Sequence, residues 1–143
     1  MFLVFSWSSI LMFDREFNFQ EIPTSQNVAD EAVAWLHKSL RTQHDDHWRF
    51  QLSVCLAEAL NNIVEHSPTT PPCVQLGLQE NEQFSMVHIR HAGHPIDHLH
   101  PAQLNELKNE GGRGLVILQQ WVDHFDYHHH QGYNLFQLIK FSD

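Results

Sequence analysis

Apolar and polar residues alternate over residues 17–22 until Pro23 interrupts them, and this period of two predicts a short strand. The period then lengthens. Thr24 or Ser25 is placed to cap a helix running to about residue 40, with Val28, Ala32, Trp35 and Leu36 on one stripe. After a polar connector over residues 41–47, Leu52, Leu56, Ala59 and Ile63 recur at intervals of three and four, predicting a second helix over about 47–65. Ser67-Pro68 and Pro71-Pro72 must end it. Residues 73–78 and 84–90 read as two strands joined by a polar turn at 80–82, and 93–100 as a loop. A short helix is expected at 101–107 and an apolar helix at 114–122. Strands at about 124–129 and 133–141, linked by Gln131-Gly132, close the chain. The pattern predicts an α/β (α+β) two-layer sandwich, one mixed or antiparallel sheet with helices on one face.

Composition changes this picture little. The chain has 143 residues, enough for one self-sufficient core, with 42% hydrophobic and 17% charged residues. No repeat or linker divides it, so residues 17–143 are read as a single domain and residues 1–16 as an N-terminal extension. Residues 1–12, MFLVFSWSSILM, are too few to span a bilayer and lack the basic residues that precede a secretory signal. They are read as an extra edge strand or, preferably, as the product of an upstream start, with Met12 the initiator. The net charge of −9, with no Lys/Arg cluster, argues against a nucleic-acid partner. Two cysteines, one within an apolar helical run, fit buried or free thiols in a reducing, cytoplasmic setting.

Thirteen histidines stand out. His88, His91, His94, His98 and His100 crowd one strand-loop region, and His128 to His130 form a run. Along a strand His128 and His130 face one way and His129 the other, short of the three or four ligands that zinc takes. Most are therefore read as surface residues.

Three segments carry chemistry. Glu58, Asn62 and His66 recur every four residues along a polar edge of the second helix. Asn62 offers an amide oxygen to a magnesium ion, and Glu58 a carboxylate to orient or deprotonate a hydroxyl. His91-Ala92-Gly93-His94-Pro95-Ile96-Asp97 follows a strand, with Gly93 permitting a turn or close ligand approach. Gly111-Gly112-Arg113-Gly114-Leu115 opens a helix, where backbone N–H groups can meet phosphates, although no Walker spacing follows.

In this order the three segments resemble the histidine-kinase-like ATPase superfamily, in particular its anti-sigma-factor serine kinase branch, over nearly the whole chain. Glu58-Ala59-x-x-Asn62-x-x-x-His66 resembles the branch's helix motif, the segment from His91 to Asp97 its adenine-side loop, and Gly112-Arg113-Gly114-Leu115 its phosphate-side loop; Gly132, Asn134 and Lys140 in the closing strand are also similar. The resemblance implies ATP and Mg²⁺ as cofactors, Glu58 in proton transfer, Asn62 as magnesium ligand, His91 and Gly93 on the base side, and Gly112, Arg113 and Gly114 on the phosphate side. The partners it implies are a small anti-anti-sigma-like protein phosphorylated on serine, a sequestered regulator such as a sigma factor, and a second copy of the chain.

One departure bears on function. Where the family's adenine-side loop begins with an aspartate that accepts from the adenine amino group, this chain has His91. Losing a hydrogen bond to a charged partner costs about 1.5–3 kcal/mol, roughly 10- to 150-fold in affinity. Ile96 for the usual aromatic is a milder exchange. Two readings therefore stand: a nucleotide-dependent kinase switch, and a non-catalytic protein-binding module with a vestigial pocket.

Overall fold

The computed structural model describes residues 19–96, 118 and 120–142. Strand β1 (Gln20–Pro23) is followed by helices α1 (Val28–Ser39) and α2 (Asp46–His66), the hairpin β2 (Cys73–Glu80) and β3 (Phe84–Ala92), and the hairpin β4 (His124–His130) and β5 (Tyr133–Phe141). The five strands form one sheet in the order β1-β2-β3-β5-β4, every neighbouring pair antiparallel. The two-layer α+β expectation holds, and among these strands the sheet is antiparallel rather than mixed. The expected helices at 101–107 and 114–122 lie largely outside the described residues. Gln120 and Trp121 are helical, and Val122 N donates to Leu118 O at 3.2 Å.

Local chemistry accounts for the boundaries. Asp45 caps α2, its carboxylate accepting from Trp48 N at 2.7 Å. The helix stops at His66, because Pro68 pushes Ser67 into extended backbone with ψ 135°. Helix α1 begins later than the expected Thr24 or Ser25 cap. Ser25 instead accepts from Asn27 N through its hydroxyl and from Val28 N through its carbonyl, forming a turn that delays the first helical residue to Val28. Pro23 is tolerated within β1 because that strand is a sheet edge. Gln131 (φ 51°) and Gly132 (φ 81°) both take positive φ in the two-residue turn between β4 and β5, as a hairpin with matched strand twist requires.

The inner sheet face packs on both helices. Ile22, Leu76, Val87, Ile89, Phe136 and Leu138 join Leu36, Trp48, Leu52, Leu56 and Ile63 in one buried cluster that also takes in Cys55, Ile96, Leu118 and Val122. Two polar ties fix α2 to the far end of β5. Trp48 Nε1 donates to Phe141 O at 2.8 Å, and the buried Lys140 ammonium donates to Trp121 O at 2.8 Å and to Gln51 Oε1 at 2.9 Å. Cys55 and Cys73 form no disulfide. No helix among the described residues is long and apolar enough to cross a membrane.

Candidate functional site

Helix α2 holds Glu58 and Asn62 one turn apart, both half-buried beside the fully buried Ala59 and Ile63. The Asn62 Nδ2 is buried and has no hydrogen-bond partner among the described residues. Buried amides are almost always paired, so this group stands out among the described residues. A half-turn of the amide presents Oδ1 in the same corner, the hard oxygen donor that a magnesium ion takes. His66 points outward, its Nε2 3.8 Å from the exposed Glu65 carboxylate, so the third member of the four-residue repeat is a surface residue.

The base-side segment begins at the end of β3. His91 shares the inner face with Val87 and Ile89, opposite Asn134 of β5, and is only 4% exposed. Its Nδ1 lies 3.1 Å from Ala92 O. A carbonyl can only accept, so Nδ1 carries the proton and Nε2 is left as the acceptor. That Nε2 is buried and has no partner among the described residues. Burial holds the ring's pKa below the usual histidine value, opposed by the Ala92 hydrogen bond and aided by the nearby His129. The imidazole is therefore neutral at pH 7, with one buried lone pair that no described residue uses.

The loop after His91 is held by side chains from β4 and β5. Gly93 has φ 150°, a conformation that side chains disfavour, while a Cβ there would meet Asn134 Nδ2 and His91 Nδ1 at ordinary contact distances of 3.7 and 3.8 Å. The requirement for glycine at this position lies in the backbone. Gly93 N donates to Gly132 O at 3.0 Å, and His129 Nε2 donates to Gly93 O at 2.9 Å. Asn134, fully buried, donates from Nδ2 to His94 O at 2.8 Å and accepts on Oδ1 from Tyr127. Tyr127 in turn accepts from Ile96 N at 2.7 Å. Three loop residues are thus fixed by three side chains, those of Tyr127, His129 and Asn134.

Tyr127 was not among the residues singled out in the sequence, and His129 was read there only as one of a histidine run, not as a partner of this loop. Period two places them on one face of β4, but only the strand order β3-β5-β4 brings that face over the loop. The alternation expected of the histidine run is present: His128 and His130 stack at 6.0 Å on the other face. No group of three or more potential metal-ligating side chains comes together among the described residues. Asp97, Gly112, Arg113 and Gly114 lie outside the described residues.

Residues 22–140 match the family model for the histidine kinase-like ATPase domain. The chain belongs to that family. It is also 31% identical over 130 residues to the serine/threonine-protein kinase BtrW of Bordetella bronchiseptica, covering 85% of this chain and 92% of that protein. The match spans the described elements from β1 to β5 and includes both α2 and the His91 loop, so the orphaned Asn62 amide and His91 imidazole stand on a nucleotide-binding architecture.

Proposed function

We propose that this ATPase-domain chain is a nucleotide-operated regulatory switch that binds Mg²⁺-ATP and phosphorylates a serine of a small anti-anti-sigma-like partner in the cytoplasm. The observation that carries the reading is the state of His91: a neutral, buried ring whose Nε2 has an acceptor lone pair and no partner among the described residues. That is the hydrogen-bonding role an aspartate plays in the resembling family, filled by a different side chain. The similarity to a protein named as a serine/threonine-protein kinase supports phosphoryl transfer as the chemistry.

Bound Mg²⁺-ATP supplies the phosphoryl group and the cation that offsets its charge. Asn62 Oδ1 would hold the cation, and His91 Nε2 would accept from the adenine amino group. By the family resemblance, Gly112, Arg113 and Gly114 are the residues that would serve the phosphate side. Glu58 would take the proton of the incoming serine hydroxyl as its oxygen bonds the γ-phosphorus and ADP leaves.

Calorimetry at pH 7.5 tests the binding half, with Asn62→Ala as the control that removes the magnesium ligand. Saturable Mg²⁺-ATP binding that weakens in Asn62→Ala is expected; no heat at millimolar nucleotide refutes the reading. Transfer of labelled phosphate to a captured partner tests the catalytic half. A partner bound with the same affinity with and without ATP, and never phosphorylated, leaves a protein-binding module in its place.

A further inference from the structure

The central strands are buried on both faces, although the helices cover only one. On the outer face Phe84, Met86, His88, Leu135, Gln137 and Ile139 are each between 1 and 4% exposed. The helices' buried apolar residues all belong to the inner cluster, whereas the outer cluster contains, among the described residues, only Phe84, Met86 and Ile139 from the strands themselves. A dry sheet face with four apolar residues across β3 and β5 requires a cover, because exposed it would present a contiguous apolar patch. Burial alone drives the His88 pKa down to about 4, which requires water to be kept from the middle of this face.

The chain itself points to what the cover is. Phe19, the first described residue, lies on this outer face. Its ring sits where a Cβ on Gly77 of β2 would come within 3.0 Å, and the Arg90 guanidinium of β3 lies over it at 4.8 Å. Phe19 thus adds its ring to the outer face, next in sequence to the segment that precedes β1. Just upstream, nine of residues 1–12 are apolar (Met1, Phe2, Leu3, Val4, Phe5, Trp7, Ile10, Leu11, Met12) and none is charged. Residues 13–18 can span about 20 Å when extended. Crossing from β2 over β3 to β5 takes about 10 Å.

We infer that residues 1–12 are part of the fold: they lie on the outer face of the sheet of their own chain, against Met86, Leu135 and Ile139, and close a second, smaller core. The segment is then neither an edge strand nor dispensable sequence ahead of Met12. Its composition matches the site: Phe84, Met86, Leu135 and Ile139 flank the central His88–Gln137 pair with apolar side chains, and Gln137 Nε2 reaches the Met86 sulfur.

The test uses the full chain with Phe5→p-benzoylphenylalanine, irradiated as an equal mixture of ¹⁴N- and ¹⁵N-labelled protein. Adducts are expected on peptides covering residues 84–90 and 135–139, joined within one isotope label. Adducts on α1, α2 or the β1 and β4 edges, mixed-label adducts that make a second copy the cover, or no adduct at all would each overturn the inference. A second measurement follows Met86 oxidation by dilute peroxide in the full chain and in Phe5→Ser/Trp7→Ser. Oxidation at least roughly tenfold faster in the variant, with its far-ultraviolet dichroism retained, is expected if two buried aromatics close this face. Equal rates would refute it.

Discussion

Removing a single oxygen atom at Tyr127 tests how the loop after His91 is held. Tyr127→Phe keeps the ring against Phe136, 4.9 Å between centroids, and deletes only the hydroxyl. That hydroxyl accepts from Ile96 N at 2.7 Å and donates to Asn134 Oδ1. Ile96 is 1% and Asn134 0% exposed, so water does not replace the lost partner at either group. Each buried polar group left unsatisfied costs about 1–3 kcal/mol, and two of them at the lower half of that range cost about 2–4 kcal/mol. With an unfolding entropy near 2.1 cal/mol/K per residue, the 143-residue chain loses about 3 °C of Tm per kcal/mol. Thermal unfolding followed by circular dichroism is therefore expected to shift down by about 7–13 °C. The Asn134→Ser change removes the same acceptor from the other side, so the double variant should fall short of the summed losses by about 1 kcal/mol or more. A Tm within 2 °C of the parent, or strict additivity, would show that the network is not what fixes the loop.

Other consequences follow from the same geometry. His91 must be neutral to accept, and its folded pKa lies below the unfolded histidine value near 6.5, so Mg²⁺-ATP affinity should be flat above about pH 6.5 and fall as pH drops through the depressed value. In calorimetry, His91→Leu should abolish that pH dependence and weaken binding about threefold to tenfold, the worth of one neutral hydrogen bond. His88, lowered to about 4 by burial, makes stability full above the unfolded pKa near 6.5 and progressively lost as pH falls toward 4, by about 3 kcal/mol in denaturant titrations. His88→Gln should flatten that slope. Burial pushes the Cys55 thiol up to about 12, so the folded protein at pH 8 should react with a thiol reagent at Cys73 and at Cys55 only after unfolding. Asp45→Ala removes the cap on Trp48 N and should cost about 1 kcal/mol, read as a Tm drop of about 3 °C.

The α2 motif shows how much of the site could be read from residues alone. The spacing of Leu52, Leu56, Ala59 and Ile63 specifies the buried face of one helix, and every one of them is buried. Glu58 and Asn62 then stand beside that face by helical geometry, whatever the helix packs on. The strands were legible too, because short runs rich in apolar and aromatic residues, bounded by turn residues such as 80–82 and Gln131-Gly132, need no partner to be recognised. The α1 cap was not. Thr24, Ser25 and Asn27 are all good capping types, and the choice went to a turn in which Ser25 is used twice.

What the sequence by itself determined is therefore periodic: which residues share a helix stripe or a strand face, and the order of the three chemical motifs. What only tertiary structure decided is the pairing of groups far apart in the chain. His91 reads in sequence as the loss of an acceptor, because histidine has two ring nitrogens and nothing local says which is protonated. The fold answers that by placing Ala92 O 3.1 Å from Nδ1 and by burying Nε2. Tyr127 and His129 belong to the loop only because β5 lies between β3 and β4. The burial of the outer sheet face is likewise a property of the assembled sheet, since alternation names two faces for each strand and only packing says what covers each.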